Sequence, residues 1–401
     1  MGAMRLHRVL IIGLREALSE ALFSDKYADK VIEKTLKANK KWGSKDRGFV
    51  AESFYDIIRW KRKLEFYMGE EIQRTNLYNL IATYLLTKEY EIPEFDEFSG
   101  IDFQKIEERF SEKIDNPAIE QSVPDWLYQL IEKDYGKETV EILAALNEQA
   151  EVYLRANTLK TTSENVIKSL AIEGIEAVAF PGHENAIQIK QRKNLFRTSA
   201  FQDGWFEVQD ISSQLVSKAL DPKPGTRVFD VCAGAGGKTL HLAALMQNKG
   251  QLIALDIHEW KLKELKRRAR RAGAHNVETR PIVAKTIKRL KDSADSLLID
   301  APCSGLGVLK RNPDAKWKLD QDFIDRITKE QAEILQNHSK ILRKGGKMVY
   351  ATCSILPEEN EKQVEKFLAN NPEFSLISEQ TLLPHITGSD GFYISVMERK
   401  A

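Results

Sequence analysis

Hydrophobic residues recur every three to four positions over the first ninety residues: Leu14, Leu18 and Leu22 share one helical face, and Val50, Phe54 and Ile58 another. The spacing predicts a helical N-terminal region. Residues 89–122 are acidic, carry Pro93 and Pro117, and read as a poorly packed connector. "VPDWLYQLIEKDYGKETVEILAALN" then predicts two short helices. From residue 150 the texture changes. "VYLRANTL" and "AIQIK" alternate like strands around "SENVIKSLAIEG", a helix with its N-cap at Ser163 and a terminal Gly174. After Gly204, the apolar runs "RVFDVC", "GQLIALD", "SLLIDAP" and "GKMVYATC" alternate with amphipathic stretches, which predicts βαβ units and a buried, mostly parallel sheet. Three regions are therefore expected: a helical domain over 1–140, a small α+β subdomain over 141–203, and an α/β domain over 204–401.

Composition changes this picture little. Of 401 residues, 42% are hydrophobic and 30% charged, as in ordinary globular proteins. Lys and Arg number 60 against 59 Asp and Glu, so any basic surface must be local. One candidate is the run of nine basic residues from Lys37 to Lys63, interleaved with Trp42 and Trp60. A solvated helix face is the commoner meaning of such a run and RNA contact the rarer one. No apolar run approaches the ~18–20 residues of a membrane span. Arg15 and Glu16 interrupt any signal-peptide layout, so a cytoplasmic protein without a membrane partner is expected. Met1–Ala3 reads as an addition ahead of a native start at Met4.

"VFDVCAGAGGKT", residues 228–239, is a strand, a glycine loop and a helix start. Three motifs compete for it. The phosphate loop fails because its first glycine would be position 232, a cysteine; the dinucleotide pattern from Gly234 and Gly236 fails at Thr239. The third is the cofactor loop of methyltransferases that use S-adenosylmethionine. There the backbone of Cys232, Ala233, Gly234, Ala235, Gly236, Gly237 and Lys238 would admit the amino-acid end of the cofactor. Asp256, closing the next strand, would accept hydrogen bonds from the ribose hydroxyls. S-adenosylmethionine is thus expected ahead of NAD or ATP.

The chain has three cysteines, Cys232, Cys303 and Cys353, without C-x-x-C spacing, which argues against disulfides and against a zinc or other metal site. Most lone cysteines are small buried hydrophobes. Here all three follow predicted strands, where ligands bind in open α/β sheets. Two cysteines suit methylation of a cytosine at C5. That carbon becomes nucleophilic only after a thiolate adds to C6, and the adduct must later be broken. Asp300, three residues before Cys303, is placed to act near ring N3, where charge develops.

At these motifs the sequence resembles the Sun/Fmu family of RNA (cytosine-5)-methyltransferases. "FEVQDISSQL", "CAGAGGKT", "DAPCSG", "RNPDAKW" (311–317), "TCSILPEEN" and "DGFYISVMERK" match its motifs in order, over about residues 140–400. The resemblance implies a Rossmann-like catalytic domain, with Cys353 as nucleophile and Cys303 assisting release. It places Asp300 against cytosine and cofactor, and turns Lys238 towards the substrate. DNA cytosine methyltransferases instead use the Pro-Cys position as nucleophile, so this assignment rests on the Thr-Cys match. The helical N-terminus resembles the NusB-like RNA-binding domain of one branch, the ribosomal RNA small-subunit methyltransferase B group, and 141–203 resembles a small RRM-like piece. No carboxy-terminal PUA-type extension is expected. The implied partner is RNA, small-subunit ribosomal RNA first and transfer RNA second, with the protein acting as a monomer.

Two departures stand out. Gly234 and Ala235 replace the family's usual Ala-Pro, and Lys285 stands where an Asp usually contacts the adenine amino group. A lysine cannot accept that hydrogen bond. It favours the competing reading, a non-catalytic RNA-binding or ribosome-assembly factor; Asp300, Cys303, Cys353 and Lys238 together oppose it.

Overall fold

The computed structural model describes residues 6–283 and 285–401; the reading of Met1–Ala3 lies outside them. Two compact units emerge. One runs to Glu148 and includes Leu309–Leu319; the other comprises Gln149–Val308 and Asp320–Ala401.

The first unit is helical, beginning with Arg8–Leu22, Ala28–Ala38, Ser44–Arg59, Lys61–Met68 and Leu77–Thr87. Leu14, Leu18, Val50, Phe54 and Ile58 are buried as their spacing requires, whereas Leu22 is only half-buried. The expected loose connector over 89–122 is instead packed. Phe98, Ile106 and Ala118 are buried, and Phe110 meets Tyr67 edge-on at 4.9 Å. Its polar residues act as helix starters: Asp102 accepts from Lys105 N, Asn116 accepts from Ala118 N, and Pro117 occupies a first turn, where its missing N–H costs nothing.

The segment Leu309–Leu319, expected inside the 204–401 domain, packs with the helices. Its "RNPDAKW" supplies partners for helix ends, whose backbone groups lack them. Asp314 Oδ2 accepts from Ala28 N at 2.9 Å, and Trp317 Nε1 donates to Ile58 O at 2.7 Å. Lys316, wholly buried, donates to Arg59 O at 2.8 Å and Asn147 Oδ1 at 2.9 Å.

The second unit holds two sheets. The smaller is antiparallel, in the order β2-β3-β1-β4, from β1 (Val152–Ala156), β2 (Ala177–Ala179), β3 (Ala186–Ile189) and β4 (Phe206–Val208). β2 and β4, only three residues each, escape the alternation rule. Its helix Ser163–Ile172 is capped by Thr162, whose side chain accepts from Asn165 N, and not by Ser163.

The larger sheet is built from β5 (Arg227–Asp230), β6 (Gln251–Asp256), β7 (Val277–Pro281), β8 (Ala294–Asp300), β9 (Leu342–Thr352), β10 (Phe374–Leu382) and β11 (Phe392–Arg399). Their order is β10-β11-β9-β8-β5-β6-β7; every pair from β9 to β7 is parallel, and β11 pairs antiparallel with both β9 and β10. The chain runs outward one way from β5 to β7, then restarts at β8 on the other side. The ends of β5 and β8 therefore flank the crevice where open α/β sheets bind ligands. Among the described residues, no helix is long and apolar enough to cross a membrane, and no group of three or more His, Cys, Asp or Glu could hold a metal.

Candidate active site

Five neighbouring parallel strands, β9, β8, β5, β6 and β7, end at one edge of the sheet, which is why residues far apart in sequence meet there. Asp300 lies opposite Ala351 in the β8–β9 register, so the turns that follow carry Cys303 and Cys353 side by side. Their sulfurs are 3.2 Å apart. Beside them Lys238 Nζ donates to Asp300 Oδ2 at 2.7 Å, bridging the crevice between the ends of β5 and β8. The ammonium also stands 5.2 Å from the Phe392 ring centroid. Burial opposes the charge on Lys238, but the Asp300 carboxylate and the nearby Cys353 sulfur prevail, and its pKa is raised. Cys303 is pushed well above the ordinary thiol range, first by its hydrogen bond with Cys353 and then by burial. It therefore rests as the thiol.

A buried carboxylate missed in the sequence holds the two cysteine turns together. Glu359 accepts from Ser304 N (2.8 Å), Ser304 Oγ (2.5 Å), Ser354 Oγ (2.5 Å) and Gln331 Nε2 (2.9 Å). Ser304 and Ser354 each follow a cysteine, so one side chain sets both sulfurs. Asn360 adds a donor to Ser354 O at 3.0 Å and accepts from Thr352 Oγ1. The available signal was "PEEN" itself, read as a family match without a task for its last two residues. Gly307 belongs to the same arrangement. A Cβ there would stand 2.1 Å from Gly391 O and 2.9 Å from Cys353 O, so only glycine lets the Cys303 loop pass beneath Cys353.

The glycine loop is held from behind. Arg155, from β1, donates to Gly237 O at 2.9 Å, and Arg268 Nη1 to Ala235 O at 2.8 Å. Gln209 and Glu207 of "FEVQDISSQL" in turn engage Arg155 and Arg268. That motif is thus bracing for the loop. Nothing stands within 4 Å of where a Cβ would be at Gly234 or Gly237, leaving the inner face of the loop open. Asp256 is buried, with Oδ2 accepting from Gly234 N at 2.8 Å and Oδ1 from His258 N at 2.7 Å. Each oxygen keeps a lone pair for a further donor.

Asp256 lies opposite Pro281, and the residues beyond the two strand ends, Ile257 and Val283, are exposed and apolar, suited to a flat base. Lys285 is exposed, just ahead of the short helix Thr286–Arg289. Cys232 does not join the other two sulfurs. It sits half-buried against the core, its thiol pushed up by burial, as the packing reading of a lone cysteine requires.

A mostly parallel seven-stranded sheet with such a loop after β5 is the fold of the Rossmann-like methyltransferases. A family model described as "16S rRNA methyltransferase RsmB/F" matches residues 217–398, and one for its ferredoxin-like domain matches 123–195. A Synechocystis protein named probable ribosomal RNA small subunit methyltransferase B is 34% identical over 321 residues, covering 74% of this chain and 72% of its own length. A Bacillus subtilis protein of the same name is 34% identical over 303 residues, covering 71% and 68%. The crystal structure of PH0851 superposes with a TM-score of 0.84 at 26% identity, covering 99% of this chain and 100% of that one. The chain belongs to the RsmB/F (Sun) family of RNA methyltransferases. Its methyl donor is S-adenosylmethionine, which the open glycine loop, Asp256 and the apolar strand ends fit.

Proposed function

We propose that the protein methylates C5 of a cytosine in small-subunit ribosomal RNA through a covalent adduct between Cys353 and C6, and that the helical unit contributes to holding the RNA. The 3.2 Å approach of two sulfurs beside a lysine–carboxylate pair carries this reading. Cys353 is the nucleophile: Cys303 rests protonated and does not compete, and the Lys238 ammonium stands near the Cys353 sulfur. As the C6–S bond forms, charge moves onto the ring towards N3. Lys238, kept protonated by Asp300, presents a proton there. S-adenosylmethionine, when bound, supplies the methyl group to the C5 carbon so activated. Release needs loss of the C5 proton and cleavage of the C6–S bond. Cys303 serves both, giving its proton to the departing Cys353 sulfur and taking the C5 proton in exchange.

A nucleophile and a release group fail differently. Cys353→Ala should abolish methylation and leave no protein–RNA adduct. Cys303→Ala should also lose turnover yet accumulate an adduct that survives denaturing electrophoresis. A trapped adduct in Cys353→Ala would reverse the roles, and near-normal turnover in both variants would reduce the pair to packing residues.

A further inference from the structure

Outside the crevice, the second unit carries a groove of about 600 Å³ lined by Phe196, Phe201, Val208, Ala235, Arg267 and Arg271. Three features set it apart from ordinary surface. Phe196 is 58% exposed, far more than a large aromatic ring needs to be, and Val208 is 37% exposed beside it. The Phe196 ring meets Phe201 edge-on at 5.0 Å, and the Arg271 guanidinium lies 3.8 Å from the Phe201 ring centroid, so the exposed ring stands on a propped base. The opposite wall is the helix Glu259–Ala272, "EWKLKELKRRARRA", with seven basic residues against two acidic ones. Glu207, buried at the back, takes up Arg268 and Arg271, which fixes those side chains. Arg267 faces outward, 78% exposed, with Glu264 as its ion-pair partner.

Aromatic faces set among buried-paired and exposed arginines suit single-stranded nucleic acid: bases stack on rings without regard to sequence, and phosphates meet guanidinium groups. An acidic protein would match the charge but gains little from an open ring propped edge-on from behind. The volume lies within the ~300–1,000 Å³ of ligand sites, enough for a base with its sugar and phosphate. We infer that this groove binds a single-stranded stretch of the substrate RNA, with a base on Phe196 and backbone phosphate along the helix Glu259–Ala272. The inference rests on RNA being the substrate, and it puts part of the RNA footprint on the catalytic unit itself.

The test uses full-length protein, a labelled oligocytidylate followed by fluorescence anisotropy over a range of KCl concentrations, and calorimetric titration with S-adenosylmethionine. Phe196→Ala should weaken oligocytidylate binding about tenfold with its salt dependence unchanged. Arg267→Gln should weaken binding and lower the salt slope by about 1. Both substitutions are at exposed positions, and both variants should bind S-adenosylmethionine as the wild type does. Unchanged oligocytidylate affinity in both variants would overturn the inference, as would loss of S-adenosylmethionine binding with RNA binding intact. Competition by polyglutamate together with a silent Phe196→Ala would also overturn it, making the groove a surface for acidic protein. If instead the groove variants behave as expected but the wild type leaves ribosomal cytosines unmethylated, the groove stands and the proposed reaction falls.

Discussion

In the helical unit several charged side chains close gaps in the fold, whereas in the catalytic unit one pair stands open at the ends of two strands. The basic run from Lys37 to Lys63 makes the contrast plain. Arg59 is buried against Asp56 and donates to Lys310 O; Arg47 donates to Leu36 O; Arg62 forms a two-pronged pair with Asp125; and Lys61 and Lys63 lie over Trp317 and Trp60. Lys37, Lys40, Lys41 and Lys45 remain exposed. A stretch that reads as one basic surface is therefore in part scaffolding and in part exposed charge. In the catalytic unit the ion pair Lys238–Asp300 faces a crevice, and Glu359 is buried to aim two sulfurs. Charge density along a sequence does not distinguish a footprint from a brace; the partner each charge finds does.

The contrast can be broken at Glu359 with the largest effect. Glu359→Gln leaves one oxygen where two accepted four hydrogen bonds. Misplacing a reacting group by an ångström costs on the order of 100-fold, so turnover should fall about that far while S-adenosylmethionine affinity holds. Stability should drop by roughly 1–3 kcal/mol as buried donors lose their acceptor. Single-turnover methylation with normal rates in this variant would mean the turns hold themselves.

The two units should also respond oppositely to pH. Burial raises the Asp230 carboxyl, at the end of β5, from 3.8 to about 7. The folded state then binds the proton more tightly than the unfolded one, so the contribution is complete below about pH 4 and is lost as pH rises to 7. The loss is at most about 4 kcal/mol. Asp230→Asn should flatten that slope in hydrogen exchange of β5 and β8; an unchanged slope would assign it elsewhere.

Lys316 in the helical unit has the reverse sign. Burial, with Arg59 adding to it, lowers its pKa well below 10.5. The unfolded chain binds that proton more tightly, so stability rises with pH from the depressed value towards 10.5. Lys316→Met should abolish the rise and cost roughly 1–3 kcal/mol, since Arg59 O and Asn147 Oδ1 lose their donor. Exchange of the helix Ser44–Arg59 measured at neutral and alkaline pH would show it; a persistent rise would clear Lys316 of the role.

Much of this molecule is legible along one dimension. Helical spacing located the N-terminal core, apolar runs located the central strands, and the glycine loop, Asp256, Asp300, Cys303 and Cys353 lie in short contiguous motifs. Local signals suffice there because a strand end or a tight turn is specified by its immediate neighbours. What tertiary structure alone decided is how such motifs combine. The β8–β9 register brings together sulfurs fifty positions apart. Glu359 becomes a clamp only because its chain returns beneath both turns. "RNPDAKW", grouped by order with the catalytic motifs, packs among the helices because Asp314, Lys316 and Trp317 find unpaired helix-end groups there. A hydrogen bond between distant residues leaves no period in the sequence, since its energy depends on where the second partner is carried by the fold.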